Sequence, residues 1–152
     1  MSGPIATNKK AYHNFNILEK WECGIALKGA EVKSLRAGDV NFKDSFARVE
    51  RGQVFLYNLY IAPYEQAGHF SSDPDRVRKL LLHKREIKKL SNFINQKSVV
   101  LVPTKIYFNK RGLAKIELAT GIGKKLYDKR ESMKKRDISR DISRAVKSYK
   151  KN

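Results

Sequence analysis

Alternation of apolar and polar positions is the main pattern in the chain before Gly121, and it predicts short strands. The predicted strands are rich in β-branched and aromatic residues and cover residues 12–17, 21–27, 46–49, 54–61, 98–108 and 113–120. Glycine-containing turns at residues 50–53 and 109–112 join the last four strands into two hairpins. Residues 54–61 are apolar or aromatic on both faces, which predicts a strand that is buried on both sides or has one binding face.

Two other segments show helical spacing. Residues 29–38 have a glycine at each end, so we expect a short helix that Gly38 terminates. The Ser-Asp-Pro-Asp sequence of residues 72–75 is typical of a helix start, and apolar residues at helical spacing follow over residues 76–96. An irregularity around residues 83–85 predicts one helix broken there or two helices in sequence. Residues 1–10 predict a flexible leader.

The order of these elements favours a mainly β fold. Consecutive short antiparallel strands with hairpin turns form small closed or nearly closed barrels, because closure removes exposed strand edges. The chain shows no alternation of strands and helices typical of a parallel sheet. We therefore expect one barrel domain over residues 11–123, flanked by helices.

The chain changes character after Gly123. Residues 124–152 contain 12 basic and 4 acidic side chains, a net charge of +8, and few apolar residues. An Arg-Asp-Ile-Ser repeat at residues 136–143 places arginines in one row of a helix and Ile138, Ile142 and Val146 in another. Such a narrow apolar stripe leaves an isolated helix marginal. We predict a basic tail that is disordered when free and helical against an anionic partner.

Charge indicates the kind of partner. The net charge is +18 and the isoelectric point is near 10.1, so an anionic partner would relieve strong self-repulsion. A nucleic acid is favoured over an anionic membrane or an acidic protein, because basic residues are spread over the chain and mixed with aromatic ones. The chain has one cysteine, Cys23, which excludes an internal disulfide and suits a reducing cytosol. No segment predicts a signal peptide or a membrane span.

Candidate catalytic chemistry is sparse. His13, His69 and His83 are scattered over the predicted elements, and no cluster has metal-ligand spacing, so we expect neither a metal site nor an enzyme. Cys23 is expected to be a buried thiol. The glycines before Lys124 and Lys125 do not form a P-loop, and they leave open a flexible joint or a close approach to phosphate.

Aromatic side chains offer a second possible contact with RNA. Those on predicted strands are expected to pack in the barrel more than to stack on bases, namely Phe55, Tyr57, Tyr60, Tyr107 and Phe108. Tyr127 lies in the polar tail, where stacking on a base is favoured.

Four motifs, in order along the chain, carry a resemblance to a known family. Residues 29–38 read Gly-Ala-Glu-Val-Lys-Ser-Leu-Arg-Ala-Gly, and residues 58–64 read Asn-Leu-Tyr-Ile-Ala-Pro-Tyr. Residues 78–86 read Arg-Lys-Leu-Leu-Leu-His-Lys-Arg-Glu, and residues 123–130 read Gly-Lys-Lys-Leu-Tyr-Asp-Lys-Arg. From about Lys9 to the C-terminus the chain closely resembles the small protein B family, bacterial proteins that bind SsrA RNA (transfer-messenger RNA, tmRNA).

The resemblance implies an OB-like barrel of six antiparallel strands with about three flanking helices. It implies binding to the tRNA-like domain of tmRNA and delivery of that RNA to the A site of stalled ribosomes, in trans-translation. Alanyl-tRNA synthetase and elongation factor Tu with GTP act on the same RNA. The family works in the cytoplasm, without a cofactor, a metal or catalysis of its own.

The resemblance also implies site residues. The expected tmRNA-binding residues are Glu22, Lys33, Arg36, Leu81, His83, Lys124 and Lys125. The expected tail residues in the decoding centre and the empty mRNA channel of the small subunit are Tyr127, Asp128, Lys129, Arg130, Ile138, Ile142, Ala145 and Val146. At Ile138 and at Ala145–Val146 the chain departs from relatives that carry Trp and Ile-Met.

Three rival classes stay open on the sequence alone. They are a general or ribosomal RNA-binding module, a ribonuclease that uses the histidines, and a membrane-active cationic tail.

Overall fold

The structure is a computed structural model, and it describes residues 3–64, 73–96 and 99–124. The chain divides into two units, Met1–Ile122 and Gly123–Asn152. The fold described below is that of the first unit. The predicted tail from Lys125 onward lies outside the described residues.

Nine strands and three helices follow one another in the described part of the chain. In chain order they are β1 (Ala6–Thr7), α1 (Lys9–Asn14), β2 (Phe15–Ile25), α2 (Gly29–Arg36), β3 (Val40–Asn41), β4 (Phe46–Glu50), β5 (Gln53–Tyr57), β6 (Tyr60–Ile61), β7 (Arg78–Leu81), α3 (Lys84–Gln96), β8 (Val100–Phe108) and β9 (Ala114–Gly123).

Six of these strands close into a ring in the order β8-β4-β5-β7-β2-β9, because β9 also pairs with β8. The β4–β5, β5–β7, β2–β7 and β8–β9 pairs are antiparallel. A separate two-stranded ribbon joins β3 to β6. This arrangement confirms the predicted OB-like barrel of six antiparallel strands.

Mostly aliphatic side chains fill the barrel. Every strand of the ring contributes to one cluster, with Leu56, Leu80 and Ile116 fully buried. Helix α2 adds Leu35 to the cluster, and α3 adds Leu90. Since each of these helices buries one stripe, their opposite faces remain available for solvent or a partner.

Both predicted hairpins are confirmed, together with their turns. Arg51 and Gly52 have φ values of 52° and 73° between β4 and β5, which is the geometry of a tight two-residue hairpin. Asn109 to Gly112 turn the chain between β8 and β9, and Gly112 has a φ of 76°. The predicted end of α2 is confirmed as well, since Gly38 follows it with a φ of 80°.

The first two predicted strands are in fact one strand preceded by a helix. Residues 12–14, predicted as strand, belong to α1, and β2 runs without a break from Phe15 to Ile25. Leu18, Glu19 and Lys20 are all exposed, so buried and exposed positions do not alternate there. For this reason the sequence pattern predicted two short strands where there is one long strand.

The leader is also shorter than predicted. Ala6 and Thr7 pair with Ile106 and Lys105 of β8, beyond the point where β4 pairs with the same edge. Asn8 is buried and donates from Nδ2 to the carbonyl of Pro103, at 2.8 Å. The segment covers an edge that the short β4 leaves open, a long-range requirement with no local sequence signal.

The prediction of a helix at the start of residues 76–96 is wrong. Residues 78–81 form β7, and only Lys84 to Gln96 are helical. Within the predicted helix start, residues 74–75 instead form a turn, in which the Asp75 N–H donates to Asp73 Oδ1 at 3.0 Å. Arg78 faces inward and is fully buried, so the alternation of β7 was hidden by a charged residue in a core position.

The predicted strand over residues 54–61 is two strands. β5 ends at Tyr57, Asn58 has a φ of 64°, and β6 then pairs with β3 in the separate ribbon. Its apolar character on both faces therefore comes from two strands that bury different sides.

A buried ionic network ties α2 to β7. The Glu31 carboxylate accepts hydrogen bonds from Arg76 at 2.5 Å, from Arg78 at 2.6 Å and from the N–H of Lys28 at 2.8 Å. Arg78 also donates to the carbonyls of Leu59 and Pro74. Burial alone would raise the pKa of Glu31, but the hydrogen bonds from Arg76, Lys28 and Arg78 outweigh it and hold that pKa below its ordinary value of 4.5.

Replacing Glu31 with alanine should destabilise the protein strongly, because it leaves the buried Arg78 guanidinium without its counter-charge. We expect a loss of about 3–5 kcal/mol in the free energy of unfolding, measured by urea denaturation at pH 7. The exposed carboxylate of Glu19 is the control, and Glu19→Ala should change stability by less than about 0.5 kcal/mol.

Acid pH provides a second readout of the same network. Since the folded-state pKa is lowered, the contribution of Glu31 is complete above the unfolded-state pKa and is lost as pH falls through the folded-state value. The wild type should therefore lose more stability than Glu31→Gln between pH 6 and acid pH. Equal slopes for the two proteins would contradict the assignment.

Candidate nucleic-acid interface

Pairing of β2 with β7 brings together three of the residues that the sequence predicted as a site. Gly24 lies opposite Leu81, and Leu81 is 50% exposed on the outer face of the barrel. Glu22 precedes Gly24 by two residues and is exposed on the same face. His83 follows Leu81 by two residues, is exposed, and its backbone N–H donates to Glu86 Oε1 at the start of α3.

Gly24 is needed for this approach of the two strands. A Cβ at residue 24 would lie 3.2 Å from Leu81 Cβ and 3.4 Å from Leu81 Cδ1. The absence of a side chain therefore lets Leu81 lie over β2, beside Glu22.

Glu22 is held by a residue that the sequence did not assign to the site. The Tyr107 hydroxyl on β8 donates a hydrogen bond to Glu22 Oε2 across the intervening strand β9. Burial, together with this hydrogen bond, raises the pKa of Tyr107 well above its ordinary value of 10. The phenol thus remains a proton donor throughout the neutral range.

A row of charges lies next to this pair on the same three strands. Glu117 of β9 is 3.5 Å from Lys20 of β2 and 3.5 Å from Lys105 of β8. A hydrogen bond with the hydroxyl of Tyr12, and then the charge of Glu117, raise the pKa of Lys20. The face therefore combines acidic and basic groups and is not a uniform phosphate-binding surface.

Helix α2 presents its cations near the C-terminal end of β8, where Tyr107 also lies. Glu31, Ser34 and Leu35 are buried, whereas Lys33 and Arg36 are exposed. The Arg36 guanidinium lies 5.9 Å from the ring centroid of Phe108, the residue after Tyr107. The Lys33 ammonium lies 5.3 Å from the ring of Tyr64. The two cations are thus held against aromatic rings while they stay accessible.

The glycine segment before the tail differs from a simple joint. Gly121 is buried in β9, and a Cβ there would lie 3.0 Å from Phe15 Cβ. Its lack of a side chain serves strand packing, so, of the two alternatives left open for this segment, a flexible joint does not include Gly121. Lys124 is the last described residue, and Lys125 lies outside the described part. The eight predicted tail residues also lie outside the described part, namely Tyr127, Asp128, Lys129, Arg130, Ile138, Ile142, Ala145 and Val146.

The strand aromatics do not fill the barrel as predicted. All five are half-buried, and Phe108 packs against the core from its edge. Tyr57 stacks on Phe46 with ring centroids 5.3 Å apart on the β4–β5 hairpin. The interior is mostly aliphatic, and its buried aromatic residues among those described are Trp21 and Phe42.

The remaining candidate residues are His13, His69 and Cys23. His13 is half-buried in α1, and His69 lies outside the described residues. The described part of the chain contains no group of three or more His, Cys, Asp or Glu residues that could hold a metal ion. Cys23 is fully buried as predicted, and burial raises the pKa of its thiol to about 12. No helix among residues 3–64, 73–96 and 99–124 is long and apolar enough to span a membrane.

A closed ring of six strands with helices packed against it defines the class of OB-like barrels, many of which bind nucleic acids. A family model described as SmpB protein matches residues 5–148. The chain belongs to the SmpB family, as its four motifs predicted.

Relatives described as SsrA-binding protein match almost the whole chain. That of Carboxydothermus hydrogenoformans is 57% identical over 144 residues, 95% of this chain and 96% of that protein. That of Caldicellulosiruptor bescii is 59% identical, with 95% of this chain and 91% of that protein covered. A solved structure described as "tmRNA-SmpB: a journey to the center of the bacterial ribosome" contains a chain with 56% identity and a TM-score of 0.68, over 82% of this chain and 87% of that one.

Substitution of Gly24 with alanine should push β7 away from β2, because the new Cβ meets Leu81 at 3.2 Å. We expect a loss of about 1–3 kcal/mol in the free energy of unfolding, measured by urea denaturation. Gly29→Ala is the matched control, since a Cβ at Gly29 has nothing within 4 Å. Equal stability of the two variants would show that the close approach is unimportant.

Proposed function

We propose that this protein binds the tRNA-like domain of tmRNA through the outer face formed by Glu22, Leu81, His83 and the exposed side of α2. The observation that carries the proposal is the pairing of Gly24 with Leu81, which brings Glu22, Leu81 and His83 together. The descriptions of the relatives as SsrA-binding proteins, and of the solved structure as tmRNA-SmpB, support the choice of RNA.

The chemistry of the face suits a folded RNA. Lys33 and Arg36 can neutralise phosphates, whereas the half-exposed Leu81 offers an apolar contact to a sugar or a base. Paired RNA is read by shape and by backbone and 2′-hydroxyl contacts, because its deep groove excludes side chains. A barrel with cations at one end and a mixed polar face beside them provides both kinds of contact.

We infer a separate role for the basic tail. In this proposal the barrel domain, residues 11–123, holds the RNA and helps deliver it to the A site of a stalled ribosome. Residues 124–152 then enter the empty mRNA channel, with Tyr127 and Asp128-Lys129-Arg130 near the decoding centre. The net charge of +8 on this segment supports the choice of an rRNA-lined channel as its partner.

The proposed activity is binding in the cytoplasm, without catalysis, a cofactor or a metal. Alanyl-tRNA synthetase and elongation factor Tu with GTP would act on the same RNA, and this protein would catalyse no reaction itself. The lone, buried thiol of Cys23 fits a role without nucleophilic catalysis.

Barrel and tail substitutions should separate binding from ribosome rescue. Glu22→Ala and His83→Ala should weaken binding to a transcript of the tRNA-like domain, measured by gel shift in the presence of excess bulk tRNA. Alanines at Asp128, Lys129 and Arg130 should leave that affinity within about two-fold, because the tail gains little from this first RNA. The same triple variant should abolish tagging of nascent chains in a reconstituted translation assay.

Two results would contradict this division. If truncation after Gly123 weakens RNA binding as much as the barrel changes do, the tail belongs to the contact with the first RNA. Displacement of the wild-type protein by bulk tRNA would instead indicate a general RNA-binding module.

Salt dependence should identify the phosphate contacts. Lys33→Ala combined with Arg36→Ala should reduce the slope of log affinity against log salt concentration by about 1.4–1.8 if each cation contacts one phosphate. Lys110→Ala and Arg111→Ala, in the exposed β8–β9 turn, are the charge-matched control. An equal change in both double variants would mean that only overall charge matters.

A further inference from the structure

An acidic side chain on an RNA-binding face needs a physical explanation. Phosphates repel a carboxylate, so Glu22 would weaken binding unless it accepts hydrogen bonds from the RNA. Tyr107 donates to its Oε2 atom, while in the described part of the chain its Oε1 atom has no hydrogen-bond donor. One oxygen is thus held by the protein, and the exposed side chain leaves the other available to a partner.

Tyr107 is the more rigid member of the pair. It is half-buried between Ile106, which is fully buried, and Phe108, which packs against the core. Its backbone is paired with Lys115 of β9, and its ring lies 5.6 Å from the Lys105 ammonium. Glu22 has three side-chain torsions and is exposed, so it is the more mobile side chain. The hydrogen bond therefore restricts the carboxylate of Glu22 more than the phenol of Tyr107.

We propose that Tyr107 is a positioning residue that holds Glu22 as a hydrogen-bond acceptor for one nucleotide of the bound RNA. This inference rests on the proposed function. The group recognised is a donor on a nucleotide, such as a base amino or imino group or a ribose 2′-hydroxyl, because a phosphate offers no proton. Glu22 thereby contributes selectivity for one position, whereas Lys33 and Arg36 contribute charge.

The chain contains a matched control for this geometry. Tyr57 donates its hydroxyl to Glu50 at 2.5 Å on the β4–β5 hairpin. β4 lies three strands from β2 in either direction around the ring of six, so this second tyrosine–glutamate pair is on the opposite side of the barrel. The same substitution at Tyr57 tests loss of a surface hydrogen bond without touching the Glu22 face.

The experiment is a double-mutant cycle on Tyr107 and Glu22. The affinity of each variant for a transcript of the tRNA-like domain of tmRNA is measured by fluorescence anisotropy at fixed salt. Tyr107→Phe keeps the ring and should weaken binding about 3- to 10-fold, because Glu22 must then be ordered on binding. Glu22→Gln should weaken it by about 10-fold or more, since a charged acceptor is lost. The double variant should bind no more weakly than Glu22→Gln alone.

Two further readouts separate positioning from a merely structural role. Tyr107→Phe should leave the salt slope of the wild type unchanged, because no phosphate contact is removed. Tyr57→Phe should bind the transcript as the wild type does. Thermal unfolding of all the variants identifies any loss of affinity that follows from loss of fold.

The possible failures are distinguishable. If Tyr107→Phe binds like the wild type while His83→Ala is impaired, the inference is overturned and the proposed function stands. Losses that multiply in the double variant, or an equal loss in Tyr57→Phe, also overturn it. If the wild-type protein does not prefer the transcript over bulk tRNA, the proposed function fails and this inference fails with it.

Discussion

The buried carboxylate of Glu31 is the constraint on which the arrangement of the site depends. It forms ion pairs with Arg76 and Arg78, which follow the long connection after β6. Arg78 is fully buried. Burying charges is costly unless each partner is present and hydrogen-bonded. Since Arg78 also binds the carbonyls of Leu59 and Pro74, the network fixes α2, β7 and the segment before β6 as one unit.

Both halves of the candidate face follow from that unit. The register of β7 places Leu81 over Gly24, and it places His83 at the start of α3. The burial of Glu31, Ser34 and Leu35 turns the opposite side of α2, with Lys33 and Arg36, outward. A structural ion pair thus orients cations that it does not touch.

Local signals explain how much of the fold could be predicted from the sequence. The two hairpins and the end of α2 were predicted correctly, because Gly52, Gly112 and Gly38 adopt backbone conformations that favour glycine. β7 was missed because an inward-facing Arg78 looks polar in the sequence, and its burial depends on Glu31, 47 residues away. β1 was missed because only the open edge of β8 gives it a partner.

The candidate site shows the same limit. Motif resemblance named Glu22, Leu81 and His83, and the β2–β7 pairing places them on one face. Tyr107 was grouped with core aromatics, although it alternates with the buried Ile106 and so points outward. That alternation was a usable signal, but its contact with Glu22 is not local, because the two residues are 85 positions apart.

Ring closure has a consequence for the order of events during synthesis. The barrel closes through β8 and β9, the last two strands of the described residues, and the pairings of β8 with β1, β4 and β9 must wait for them. Pairings between residues distant in sequence form slowly, because loop closure must precede the contacts that stabilise it. A nascent chain that ends before Ala114 therefore lacks β9, and with it the closed ring across which Tyr107 contacts Glu22. The face that holds Glu22 is therefore assembled only after the whole barrel domain has been synthesised.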